Sequence, residues 1–177
     1  MLREDIKRVG LSTLQCMLLP GVRAIIVFRF GHWLLTQPRI VRCALYPVYF
    51  FLHCRITRNW GIDIARRAII GPGLRVGHFG GIIISPLATI GRNLDLSHDV
   101  TIGISGHGER SGAPSIGDNV YIGPGAKLFG KITIGDNVKI GANAVIHKDI
   151  PANAIVVLKP GFEIISYESK RAQEVLK

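Results

Sequence analysis

Acidic residues are scarce in this chain: 12 Asp and Glu stand against 22 Lys and Arg in 177 residues, a formal charge of +10. Within residues 1–60 only Glu4 and Asp5 are acidic, against nine Lys and Arg, so +7 of the excess lies in the first third. Such a balance suits an anionic partner: nucleic acid, a membrane surface or a phosphorylated small molecule. No nucleic-acid motif accompanies the charge, so nucleic acid is not expected. Cysteine is equally sparse. Cys16, Cys43 and Cys54 are odd in number and show no C-x-x-C or Cys/His ligand spacing, which argues against a disulfide framework and a metal site. Buried thiols in a reducing compartment are expected instead. Long apolar runs are lacking too. AIIVF is five residues long and bracketed by Arg23 and Arg29, too short for a secretory core. ALYPVYFFL falls well short of the ~20 residues a spanning helix needs. A cytoplasmic protein is expected.

The length suits one compact unit with a small appendage. Near residue 61 the composition turns from Leu, Phe, Trp and Arg to Ile, Gly, Asn and Asp. Three segments are therefore expected: a helical region over 1–60, a repeat domain over 61–160 and a tail over 161–177. In the first, PGVRAIIVFRFGHWLL starts at Pro20 and is apolar on most faces, as in a helix packed against others. Gln37-Pro38 marks a turn, and a second helix is expected over 39–57.

The second segment repeats. Steps of six from Ile64 reach Ile70, Val76 and Ile82, and from Ile84 they reach Ile90, Leu96 and Ile102. From Ile116 they reach Ile122, Leu128, Ile134, Ile140 and Ile146. A small or aliphatic residue follows four positions later at Ala68, Ala88, Val100, Val120, Ala126, Val138 and Ala144, with Gly, Asp and Asn between. This is the hexapeptide pattern of a parallel β-helix. Six residues make one short flat face and a corner, and three faces close a coil with an aliphatic column inside.

Two interruptions break the period. Two extra residues enter near Ile82 to Ile84, and residues 103–115 (GISGHGERSGAPS) form an excursion loop without aliphatic period, the kind of loop that carries function on a rigid scaffold. His78 and His98 each stand third in a hexapeptide, so both are expected on one corner, one coil apart. His98 is either a substrate-orienting group or a second base. His107, in the loop, either contacts substrate or faces solvent. His32, His53 and His147 are read as structural.

The run from GIDI through IGPGL, the glycine-flanked His78, GIIIS and DVTIG to IGDNVYIGPGAKLFGKITIGDNVKIGANAVIHKDIP resembles the hexapeptide-repeat acyltransferases, and within them the serine acetyltransferase group. The resemblance covers roughly residues 60–160, and PGVRAIIVFRFGHWLL is similar to the last helical segment before the β-helix in that group. It implies a mainly β fold, a left-handed β-helix preceded by short helices. It also implies acetyl-CoA-dependent transfer to a hydroxyl, without metal or covalent acyl-enzyme. The group's catalytic histidine, oriented by an aspartate fifteen positions earlier, corresponds to His78 and Asp63. Its acetyl-CoA contacts, in a groove between neighbouring β-helices, correspond to Ile104, Ser105, Pro124, Lys139 and Ala142, with Lys159 placed to meet a CoA phosphate.

The chain also departs from that group. Gly77 stands where the group has an aspartate before the histidine. Gly112 and Ala113 precede Pro114, where the group has an Arg-His pair whose arginine holds the amino acid's carboxylate. The first expectation for the acceptor is therefore a sugar of a surface polysaccharide or its precursor. The alternative is serine O-acetylation for cysteine biosynthesis, with Arg110 replacing the missing arginine. A second alternative is a non-catalytic scaffold or binding trimer. The resemblance implies a homotrimer with shared sites, pairing into a hexamer if the helical parts associate. The basic, aromatic first third suits either that interface or peripheral docking on an anionic membrane.

Overall fold

The structure, a computed structural model, describes residues 1–10, 15, 18–107 and 111–159. Among the described residues three helices come first: α1 (Leu2–Lys7), α2 (Pro20–Leu35) and α3 (Arg39–Trp60). Pro20 supplies a fixed φ at the first turn of α2. Gly61, left-handed at φ 61°, ends α3. The helix runs past residue 57 to Trp60, because the apolar Ile56 is still buried one turn before the cap.

Five coils follow. The first holds β1 (Ile62–Ile64), β2 (Ile69–Ile70) and β3 (Arg75–Val76); the second holds β4 (Ile82–Ile84), β5 (Thr89–Ile90) and β6 (Asp95–Leu96). The third holds β7 (Thr101–Gly103), β8 (Ser115–Ile116) and β9 (Tyr121–Ile122); the fourth holds β10 (Lys127–Phe129), β11 (Thr133–Ile134) and β12 (Lys139–Ile140). The fifth holds β13 (Val145–Ile146) and β14 (Ile155–Val156), with Ile150 bridging to Ile134 between them. Corresponding strands stack in parallel into three sheets, ordered β1-β4-β7-β10-β13, β2-β5-β8-β11 and β3-β6-β9-β12-β14. The chain is a parallel β-helix, as the six-residue period predicts, and a left-handed one, as the resemblance implies. The inward residues, among them Ile64, Ile84, Ile102, Leu128 and Ile146 on the first face, form a continuous buried column. Each such side chain contributes ~1.5–3 kcal/mol by leaving water.

Each corner has its own chemistry. The second corner, between the second and third faces, explains the recurrent Gly-Asp-Asn. Asn93, Asn119, Asn137 and Asn153 all take positive φ, from 58° to 64°, a conformation asparagine tolerates better than most residues. Their amides form a ladder: Asn93 Nδ2 donates to Asn119 Oδ1 (2.9 Å), Asn119 to Asn137 (3.2 Å) and Asn137 to Asn153 (2.9 Å). Beside it, Asp118 Oδ1 accepts the Arg92 N–H and Asp136 Oδ1 the Asp118 N–H, each at 2.6 Å. Corner backbone donors are thus satisfied by the coil above.

The helices are bound to the first coil through one buried ion pair. Arg29 Nε donates to Asp5 Oδ2 at 2.9 Å, and its Nη1 and Nη2 donate to the Ile70 and Gly71 carbonyls at 2.6 Å each. Asp5 Oδ1 accepts the Gly73 and Leu74 N–H groups at 2.7 and 2.8 Å. Where α2 crosses α3, Gly31 lies against the Tyr49 ring, in space a Cβ would occupy.

Three expectations change here. The extra residues lie in the corner Gly77–Gly81, before β4, because Ile64 pairs with Ile84 and Ile62 with Ile82. The excursion spans 104–114, since Gly103 and Ser115 remain in strands. Cys43 is exposed and Cys54 half-buried, because α3 leaves most of its surface uncovered; Cys16 lies outside the described residues.

Candidate active site

The two central histidines share the third corner, where the third face turns into the first face of the next coil. Val76 pairs with Leu96, so His78 and His98, each two positions further on, are stacked neighbours. Their ring centroids are 5.9 Å apart with planes at 81°, and both are exposed. The extra residues after Val76 lengthen the corner that carries His78. Gly80 and Gly81 make the return at φ 107° and 65°, where side chains are strained. The Gly80 carbonyl accepts the Asp99 N–H at 2.7 Å, joining the two corners. Leu96 pairs with Ile122, and Ile122 with Ile140, so Pro124 and Ala142 continue the same edge upward. Lys139 points out from β12 beside Tyr121, and Lys159 is exposed beyond β14.

Asp63 is elsewhere. It faces outward at the centre of β1, opposite Ile83, and its Oδ1 lies 3.4 Å from His53 Nε2. That hydrogen bond holds the Asp63 carboxyl below the usual carboxylate range. No hydrogen bond joins Asp63 to His78 within the chain: the coil offset from β1 to β4 is twenty positions, so fifteen falls short of alignment, at the corner. Within the chain the side chain paired with Asp63 is that of His53, a residue expected to be structural. Its signal was the spacing of Tyr46, Tyr49, Phe50 and His53 on α3, at i, i+3, i+4 and i+7, which puts four rings on one side of a helix. The His53 ring stacks on Tyr49 at 5.5 Å, and burial pushes the Tyr49 hydroxyl up to about 12.

The loop occupies the opposite edge of the first face, at the first corner. Ser105 and Gly112 exchange backbone hydrogen bonds of 3.1 Å in both directions, closing its neck. Ile104, Ser105 and His107 are exposed, while Arg110 lies outside the described residues. One chain therefore separates the candidates into two groups: His78, His98, Pro124 and Ala142 along the third corner, and Ile104, Ser105 and His107 at the first. Among the described residues no three His, Cys, Asp or Glu side chains converge as metal ligands, and no helix is long and apolar enough to cross a membrane.

Residues 113–148 match the bacterial transferase hexapeptide family (six repeats). The serine acetyltransferase of Mycobacterium tuberculosis is 38% identical over 160 residues, covering 90% of this chain and 66% of that protein. The crystal structure of serine acetyltransferase isoform 3 from Entamoeba histolytica, in complex with cysteine, superposes with a TM-score of 0.76 at 31% identity, covering 99% of this chain and 63% of that one. Soybean serine acetyltransferase complexed with serine gives a TM-score of 0.75 at 34% identity, with 90% and 66% covered. The chain belongs to the hexapeptide-repeat transferase family.

Within that family its similarity is to serine acetyltransferases. The chain spans 43% to 66% of the length of the first curated relatives it matches. Chemically, the hexapeptide-repeat scaffold presents two solvent-facing imidazoles side by side on one corner.

Proposed function

We propose that the protein is an acetyl-CoA-dependent O-acetyltransferase with His78 as general base and L-serine as acceptor. The observation carrying this reading is the exposed, glycine-flanked His78 packed on His98, in a chain whose relatives are serine acetyltransferases. His78 takes the proton from the acceptor hydroxyl as its oxygen bonds to the thioester carbonyl carbon. The carbon–sulfur bond then breaks, and His78 returns the proton to the departing thiolate. The products are an ester and free CoA. The edge continued by Pro124 and Ala142 suits the extended arm of the donor, and Lys139 and Lys159 suit its phosphates.

The separation of the two residue groups supports a homotrimer in which one protomer's third corner meets its neighbour's loop. Outward aliphatics such as Ile83 and Val145, 50% and 58% exposed, fit such contacts. Light scattering is expected to give three times 19.4 kDa, or six times if the helical parts pair; a stable monomer at micromolar concentration refutes the shared site.

One observation favours a second reading, a saccharide acceptor: Gly112 and Ala113 place no cation or imidazole at the end of the loop. Thiol release from acetyl-CoA over a panel of serine, homoserine, amino sugars and capsule-type oligosaccharides decides. Serine turnover on the order of 10 per second establishes the first reading. Turnover only with glycans establishes the second, and no release with any acceptor refutes both.

A further inference from the structure

Arg66 carries the only buried side-chain nitrogen among the described residues that has no hydrogen-bond partner, its Nη1. Buried guanidinium donors are ordinarily paired, because leaving one unmade forfeits its hydration without return. The side chain is held in place from several directions. Its guanidinium stacks over Tyr46 and Tyr49, 4.7 and 5.5 Å from their ring centroids. His32 Nδ1 donates to the Arg66 carbonyl at 3.0 Å. A positioned cation with an unmade bond is a receptor for an anion.

We propose that Arg66 anchors a site for the carboxylate of a small α-amino acid, in the cavity it lines with Tyr46, Tyr49, His53, Asp63 and Arg67. That cavity measures about 290 Å³, near the lower limit of small-molecule sites, so the ligand is small. Arg66 also lines an adjoining cavity of about 300 Å³ with Arg42, Cys43 and Tyr46. Arg66 and Arg67 thus line the first cavity beside one carboxylate, Asp63. A planar carboxylate matches the fork of a guanidinium, while Asp63 disfavours a dianion and offers a counter-charge to an ammonium group. A zwitterion satisfies both. Arg66 stands on the first corner, the edge from which the excursion loop leaves two coils above, so the site opens on the side where the loop projects. The inference rests on the reading of an amino acid as acceptor and names the residue that holds its carboxylate.

Calorimetric titration of the full chain with L-serine and with serinol, which lacks the carboxylate, tests this, run beside thiol-release kinetics. Wild type is expected to prefer L-serine. Arg66→Met is expected to weaken L-serine roughly 10- to 100-fold and to collapse the preference over serinol. Arg66→Lys keeps a cation over the tyrosine rings and decides the matter if the Met variant unfolds: a reduced preference supports the site, an unchanged one overturns it. No L-serine binding to wild type, or a loss caused by Arg110→Met and not by Arg66→Met, overturns it too. Arg66-dependent binding without thiol release supports the site and refutes serine transfer. Serine transfer indifferent to Arg66 substitution does the reverse.

Discussion

His78 and His98 meet edge to face on one corner, 5.9 Å between ring centroids, although twenty residues separate them in the chain. Both lie outside the aliphatic column, so substituting either leaves the fold intact. His78→Ala is expected to lower acetyl transfer by roughly 10²–10⁴-fold, with an unchanged melting profile. If His98→Ala abolishes turnover while His78→Ala retains it, the base is one coil higher.

The His53–Asp63 pair predicts a pH signature. Hydrogen bonding to His53 lowers the Asp63 carboxyl, so the stabilisation it lends is present above the ordinary carboxylate range and is lost as pH falls through the lowered value. In carboxyl-carbon NMR titration the Asp63 midpoint is expected below ~3.9 and should rise toward it in His53→Ala. An unmoved midpoint would show that the contact does not persist in solution.

Asp5 and Arg29 are 1% and 9% exposed, and truncating one partner of such a pair strands the other. Asp5→Ala is expected to cost ~3–5 kcal/mol in urea unfolding, since it also unpairs the Gly73 and Leu74 N–H groups. A loss near zero would mean that α1 is not docked on the first coil.

The asparagine ladder separates two contributions at one position. Asn119→Gly keeps the left-handed backbone and loses only the side-chain bonds. Asn119→Ala loses those bonds and adds a left-handed penalty of ~1–2 kcal/mol. Alanine should therefore be the worse of the two by about that amount; equal losses would assign the whole effect to hydrogen bonding.

The period of six was legible because a β-helix core is written locally: each inward Ile, Leu or Val answers to its own face and to the same position one coil away. The helix from Pro20 was legible for the same reason, through its first-turn proline and near-continuous apolar surface. The corner shared by His78 and His98 could also be read, because counting residues per coil is enough to stack them. What counting could not supply was the partner of Asp63, since a fifteen-residue spacing does not say which side chain enters the space above a strand. That was decided when Arg29 seated the helices on the first coil and Gly31 let α3 close on α2, which brought Tyr49 and His53 over β1. The orphan nitrogen of Arg66 has the same origin. Burial and the lack of a partner are properties of packed surfaces, and those surfaces belong to segments far apart in sequence.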